Sequence, residues 1–372
     1  MKLLAFNWRD PGHPEAGGAE LHLSEILTRA VRDGDEVTWL SELFPGAKPE
    51  EEYRGIRILR RGSWYNAHLA LAQLYRRMLR EERFDLVLED INKVPFFTPC
   101  YVHAPVLAVV PHLFGATVFR EASPAVGGLV WAHESLIPLV YRGVPFLTIS
   151  ESTRNDLVRR GIPRERIDVV HCGLDPSEYS VTVQPSTRER PIIAFVGRLR
   201  RYKGAQYVLR ALPRVLRRVP DARLEIVGDG PYRSRLQSLA RSLEIQDRVE
   251  FLGPLLLRYK VETLNHAMVA VAPSPKEGWG LTVIEANACG TPVVASRSPG
   301  LVESVRDGET GILVPHGDVA ALADALAELL TDRGRRIAMA EAGIRWAREF
   351  TWERTYRESR AVMERAAGAT AG

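Results

Sequence analysis

The sequence contains no run of about 18 uncharged apolar residues, so a helix that spans a bilayer is not expected. Its longest apolar stretch, Pro105–Phe119, is interrupted by Pro111 and His112. The apolar segment ahead of Arg9 is too short for a signal peptide and reads as a first buried strand. Cysteine is scarce. Cys100, Cys172 and Cys289 are odd in number and far apart, with no CxxC pair and no disulfide framework, which points to a reducing, cytoplasmic compartment. No basic run is interleaved with aromatics, so a nucleic-acid partner is not expected. No His/Cys/Asp cluster has metal-ligand spacing, and no metal or other cofactor is expected. No internal repeat occurs, and the only low-complexity tract is the disordered-looking Ala366–Gly372.

What the chain has is enough apolar material for more than one core: 372 residues, 45% hydrophobic, against a ceiling of about 250–300 residues for a single core. The formal net charge is +4, but it is unevenly divided. Residues before Gln184 carry 21 Lys/Arg and 24 Asp/Glu (net −3), and the remainder 29 and 22 (net +7). A positive C-terminal half suits an anionic small ligand, or is simply an arginine-rich solvated surface.

Short apolar runs alternate with amphipathic helices, as in doubly wound parallel sheets. Strands are predicted at Leu3–Trp8, Glu36–Leu40, Leu86–Glu89, Val106–Val110, Phe146–Ile149 and Ile167–Val170, and, in the second half, at Ile192–Val196, Leu224–Val227, Val249–Leu252, Val269–Ala272, Pro292–Ala295 and Gly311–Val314. Ala19–Val31 places Leu23, Ile26, Leu27, Ala30 and Val31 at helical spacing. The polar stretch Asp175–Arg190 reads as an interdomain linker, between an N-terminal domain at 1–180 and a second at 191–350. A final helix is expected at Thr351–Ala367.

Four segments carry chemistry. In Glu277-Gly278-Trp279-Gly280-Leu281-Thr282, two glycines allow close backbone approach before a helix that runs to Gly290. The first N–H groups of that helix, near Leu281 and Thr282, lack internal partners and together with the helix dipole suit a diphosphate. Glu277, before the helix, is placed to grip sugar hydroxyls, and Glu285, one turn inside it, the ribose diol. Next, Arg198 and Lys203 lie on a loop at the carboxyl end of a strand, where two cations can neutralise a pyrophosphate leaving group. Third, Gly17-Gly18 opens the first helix, again at a point of close approach, and lacks the dinucleotide GxGxxG spacing. Fourth, His112 follows a strand and is a candidate contact for a transferred group. Gly228-Asp229 ends another strand and either lines a nucleotide pocket or forms a plain turn. Asp33-Gly34-Asp35, formally a DxD, sits at the wrong end of its sheet for a metal and reads as a turn.

Together these segments resemble the retaining GT-B glycosyltransferases of family 4, the glycosyltransferase group 1 class. The matching pieces, in order, are Gly17-Gly18-Ala19-Glu20, His112, Gly197-Arg198-Leu199 with Lys203-Gly204, and Glu277…Glu285. The resemblance implies an α/β fold of two facing Rossmann-like, doubly wound parallel-sheet domains with an interdomain cleft, and a last helix that crosses back to the N-terminal domain. It implies an NDP-sugar donor (UDP by family frequency) held mainly by the C-terminal domain, retention of configuration, and no metal. Arg198 and Lys203 would hold the diphosphate, Glu285 the ribose, Glu277 and His112 the sugar, and Gly17-Gly18 the diphosphate or acceptor side. Two departures stand out. His171-Cys172-Gly173-Leu174-Asp175 replaces a frequent Pro-Asn-Gly-Val-Asp, and Trp279 a frequent Phe.

The acceptor is left open among a glycan, a lipid-linked and a small-molecule hydroxyl, bound through loops such as Asp90–Tyr101 and Leu113–Gly127. Oligomeric state is open as well. Arginines beside apolar residues in Tyr53–Arg61 and Leu69–Arg83 leave peripheral contact with the inner membrane face as an alternative to a plain amphipathic helix. Two other readings of the same residues are a non-hydrolysing NDP-sugar epimerase and a catalytically silent nucleotide-sugar-binding protein.

Overall fold

The β-branched and aliphatic runs of both halves form parallel strands in a computed structural model of the chain, which describes residues 1–92, 94–115, 118, 123–254 and 256–368. The chain divides into two compact units. One is Met1–Cys172 with the segment from Trp352 onward, and the other is Gly173–Thr351.

In the first unit the strands are β1 (Lys2–Phe6), β2 (Glu36–Ser41), β3 (Glu50–Tyr53), β4 (Ile56–Arg60), β5 (Leu86–Asp90), β6 (Val106–Val110), β7 (Phe146–Thr148) and β8 (Ile167–Val169). They form one sheet in the order β3-β4-β2-β1-β5-β6-β7-β8. All its neighbours run parallel except β3 and β4. The β3–β4 hairpin is absent from the sequence reading, because β3 is Glu-Glu-Glu-Tyr with no buried face and so carries no apolar period. The helices are α1 (Gly18–Arg32), α2 (Ala67–Met78), α3 (Pro124–Ser135), α4 (Ile137–Val140) and α5 (Glu151–Arg159). On α1 the 3–4 spacing buries Leu23, Ile26, Leu27 and Ala30 against Leu3, Ala5 and Trp39. Each leucine or isoleucine so buried is worth about 1.5–3 kcal/mol.

In the second unit β9 (Ile192–Val196), β10 (Arg223–Val227), β11 (Val249–Gly253), β12 (Val269–Ala272), β13 (Val293–Ser296) and β14 (Gly311–Val314) form an all-parallel sheet. Its order is β11-β10-β9-β12-β13-β14. Its helices are α6 (Ala205–Arg218), α7 (Arg233–Ser242), α8 (Leu257–His266), α9 (Leu281–Ala288), α10 (Leu301–Ser304), α11 (Val319–Thr331) and α12 (Arg333–Ala347). Val208, Leu209, Leu212 and Val215 of α6 share one core with Leu322, Leu326 and Leu329 of α11.

The last helix, α13 (Trp352–Gly368), belongs to the first unit. Tyr356 donates to Asp33 at 2.5 Å, and Arg360 pairs with Asp35. Asp33-Gly34-Asp35 is therefore a turn that anchors this helix. The segment 175–190, expected as a linker, packs within the second unit. Asn265 Oδ1 accepts from the amide of Thr182 at 2.7 Å, and Tyr179 is buried. Arg188 is buried and donates to the carbonyls of Ala267 and Cys289, both at 2.7 Å. Its polarity serves hydrogen bonding inside the fold, which composition alone does not distinguish from solvation. Of the tail expected to be disordered from Ala366, residues 366–368 continue α13, with Ala366 buried, and residues 369–372 lie outside the described residues. Among the described residues no helix is long and apolar enough to cross a membrane.

Candidate active site

The loop 273–280 and helix α9 form the centre of the second unit's carboxyl edge, between β12 and β13. Gly280 caps α9 with φ +85°, and a Cβ there would lie 2.7 Å from Ser304 Oγ. Only glycine both adopts this conformation and fits the space. The helix starts at Leu281, so the amides of Leu281 and Thr282 sit in its first turn, where the dipole favours an anion. Glu277 is held by its own amide, which donates to Pro299 O at 3.0 Å. Gly278 links it to Trp279, which is buried with its ring 5.1 Å from Phe350.

Lys203 reaches this loop from the 3-10 turn after β9. Its Nζ donates to both carboxylate oxygens of Glu277, at 2.6 and 2.8 Å. Burial pulls the ammonium pKa down, but Glu277 beside it more than offsets that, and the net direction is up. Arg198 lies on the same loop, close enough that its charge opposes protonation of Lys203. That loop is braced from behind by the turn after β10. Gly197 N donates to Val227 O at 3.0 Å and Leu199 N to Asp229 O at 2.9 Å. At Gly228, φ is +150° and a Cβ would lie 1.9 Å from Gly197 O. The glycine of Gly228-Asp229 is thus required for two loops to touch. Asp229 supports its own turn, accepting from the amide of Gly230 at 2.7 Å.

Glu285 differs from Glu277 in exposure. It is buried, and its Oε1 accepts from Tyr179 Oη at 2.8 Å and from Lys260 Nζ at 2.7 Å, while its buried Oε2 has no hydrogen-bond partner among the described residues. Burial and the adjacent carboxylate push the Tyr179 phenol pKa up. Tyr179 and Lys260 are absent from the sequence reading. Both lie outside the segments singled out for chemistry in the sequence, and no local pattern marks them.

The structure brings together Arg198, Lys203, Glu277, Gly278, Gly280, Leu281 and Thr282, with Gly228-Asp229 behind them. Gly17, Gly18 and His112 belong to the first unit. Gly17 precedes α1, and its amide donates to Glu20 at 2.7 Å. Glu20 Oε1 in turn lies 3.4 Å from Asn92 Nδ2, which donates to Asn7 Oδ1 at 3.0 Å. His112 follows β6, half-buried, its ring 5.0 Å from Phe114. Of the loops expected to meet the acceptor, 90–101 is pinned by Glu89, which accepts from the amides of Phe96 at 2.6 Å and Thr98 at 3.0 Å. Lys93 in that loop, and 116, 117 and 119–122 in the other, lie outside the described residues. Within Tyr53–Arg61, whose arginines left peripheral membrane contact open, Arg60 is buried in a bidentate pair with Asp10 at 2.7 and 2.8 Å and is not available for it. Among the described residues no group of His, Cys, Asp and Glu is arranged to hold a metal ion.

Comparison with known proteins agrees with this geometry. The profile described as "Glycosyltransferase Family 4" matches residues 16–178, and "Glycosyl transferases group 1" matches residues 181–346. A protein of Mycolicibacterium smegmatis, named GDP-mannose-dependent alpha-(1-6)-phosphatidylinositol monomannoside mannosyltransferase, is 35% identical over 90% of this chain and 91% of its own. Among solved structures, sucrose-phosphate synthase from Thermosynechococcus elongatus superposes with a TM-score of 0.86 at 21% identity over the whole of both chains. The Anabaena protein HepE in complex with UDP and glucose gives 0.78 at 18% identity, over 98% of this chain and 99% of its own. The chain therefore belongs to the group 1, family 4 glycosyltransferases and is a hexosyltransferase of the GT-B fold.

Proposed function

We propose that this enzyme moves mannose from GDP-mannose to a hydroxyl of a lipid-linked acceptor, with retention of configuration and without a divalent metal. The observation that carries the reading is the Lys203–Glu277 pair immediately before the first turn of α9. A diphosphate at that turn exchanges Glu277 for phosphate oxygens on Lys203, and leaves the Glu277 carboxylate for sugar hydroxyls. The departing diphosphate gathers charge in the transition state. In this reading Arg198, Lys203 and the amides of Leu281 and Thr282 stabilise that charge. In the mechanism proposed, the acceptor hydroxyl attacks the face the diphosphate leaves, and its proton passes to the leaving phosphate oxygen. Glu277 serves in binding, not as a nucleophile. His112 is assigned to the transferred sugar, Gly17-Gly18 to the diphosphate or acceptor side, and Glu285, steadied by Tyr179 and Lys260, to the ribose.

The choice of donor and acceptor class leans on the mycobacterial relative, a GDP-mannose-dependent mannosyltransferase by name, 35% identical along nearly its whole length. Uridine, the base first expected, is supported by HepE at a distance where only the fold is shared. Thermal-shift measurements with GDP, UDP and their mannose and glucose conjugates test this, because a ligand stabilises the state that binds it. GDP-mannose should give the largest shift. A larger shift with a uridine compound overturns the base assignment, an inverted product anomer overturns retention, and activity abolished by EDTA overturns the metal-free reading.

A further inference from the structure

Helix α3 is inside out. A helix on a soluble protein turns its apolar stripe to the core, yet the only buried residues of α3 are Gly127 and Glu134. Glu134 points inward as a polar anchor. It accepts from the amides of Phe114 at 2.7 Å and Gly115 at 2.9 Å, and pairs with Arg160 at 3.1 Å. The outward apolar residues of α3 and the adjoining α4, with Leu136 between them, are Val126, Leu129, Trp131, Leu136 and Leu139, between 44% and 75% exposed. No lysine or arginine occurs in α3, and its one carboxylate is the buried one.

A second apolar group adjoins it. Trp64, Tyr65 and Leu69, at the start of α2, are at least 70% exposed. His68 of α2 packs on Phe96 with ring centres 5.0 Å apart, and His133 of α3 on the next residue, Phe97, at 5.9 Å. The Phe96–Phe97 step thus joins the two groups. Beyond Leu69 come Arg76 and Arg77 of α2 and Arg80 just past its end, all exposed, and Arg142 is exposed just beyond α4.

We infer that this face of the first unit is a membrane-docking surface, which seats α3, α4 and the Trp64–Leu69 segment in the headgroup region of an anionic phospholipid leaflet. Three features select a lipid surface over a protein partner. The exposed face of α3 carries no charged side chain, and its polar groups, His133 and Ser135, are turned back onto the carbonyls of Leu129 and Trp131, unlike the polar rim of a protein interface. Trp and Tyr lie at its edge, as side chains that favour the bilayer interface do. The flanking charge is predominantly arginine, which complements anionic headgroups. The inference deepens the proposed function, since it names how the enzyme reaches a lipid-linked acceptor, and it rests on that reading only for its purpose.

The test is co-sedimentation of the full chain with phosphatidylcholine vesicles, with and without phosphatidylglycerol. The variants are Leu129→Glu/Trp131→Glu and Arg76→Gln/Arg77→Gln/Arg80→Gln, none of which touches the candidate active site. Thermal melting and GDP binding report that each variant is folded. Wild type should sediment with the anionic vesicles. The Leu129/Trp131 variant should bind about tenfold more weakly or worse to either vesicle, and the arginine variant should lose the preference for anionic lipid. Wild-type protein that stays in the supernatant, or variants that sediment like wild type, overturns the inference. A wild-type dimer that Trp131→Glu converts to monomer, with no vesicle binding, assigns the face to a second copy of the chain and overturns it as well. Sugar transfer to a soluble acceptor is assayed separately without vesicles. Its failure while vesicle binding persists counts against the proposed reaction and leaves the surface standing.

Discussion

In the first unit, Glu89 and Glu134 are fully buried and tie down backbone amides, and Asp10 is buried against Arg60. In the second unit, the acids of the signature segment are each paired with a lysine, Glu277 with Lys203 and Glu285 with Lys260. A carboxylate on a buried amide fixes a loop in one conformation. A half-buried lysine–glutamate pair is exchangeable, because a ligand phosphate can replace the carboxylate at little cost. The first unit therefore uses these acids as scaffold and turns apolar groups outward, while the second keeps its Lys203–Glu277 pair where an anion can reach it.

The largest effect that would sharpen this contrast is on stability. Arg60→Ala leaves Asp10 buried without its partner and should cost about 3–5 kcal/mol. Chemical denaturation should show the loss while GDP affinity of the remaining folded protein is unchanged. A stable, fully folded Arg60→Ala protein would break the contrast. In the second unit the expected loss is in rate. Arg198→Ala and Lys203→Ala should each lower kcat about 10²–10³-fold, the scale of one donor to a developing negative charge, with little change in melting temperature. Near-wild-type turnover in both would remove the charge-stabilising role.

A third effect depends on pH. His22 of α1 is fully buried beside Trp352 of α13, with neither ring nitrogen hydrogen-bonded among the described residues, and burial pulls its pKa down to about 4. The unfolded chain takes up the proton near the usual value of about 6.5, and the folded chain does not until far lower. Stability present above the unfolded value is thus lost as pH falls toward 4, by about 3 kcal/mol in full. Urea midpoints at pH 7 and 5 should differ less in His22→Leu than in wild type, and equal pH slopes would count against this account. The smallest effect is Tyr179→Phe, which removes one hydrogen bond to Glu285 and should weaken nucleotide binding by about 0.5–1.5 kcal/mol. Isothermal titration with GDP measures it, and an unchanged affinity would separate Tyr179 from the nucleotide.

The parallel strands were legible because a strand buried on both faces must be apolar throughout. Val106–Val110, Ile192–Val196, Val269–Ala272 and Gly311–Val314 coincide with the observed β6, β9, β12 and β14. The start of α9 at Leu281 was equally legible, since a positive-φ glycine and a proline exit punctuate the chain locally. The glutamates of β3 escaped notice because an edge strand has no buried face to mark it. Segment 175–190 read as solvated because nothing local tells a buried Arg188 from an exposed one.

The sequence by itself determined the elements and the reactive groups: two sets of parallel strands, a glycine-flanked helix start, and Arg198, Lys203, Glu277 and Glu285 at their spacings. Local geometry and residue chemistry suffice for these. The tertiary structure decided which groups meet. It paired Lys203 with Glu277 across 74 positions, brought Tyr179 and Lys260 to Glu285, hid Arg60 behind Asp10, and turned the apolar side of α3 outward. Each of these depends on contacts between residues far apart in the chain, and no local period or spacing encodes them.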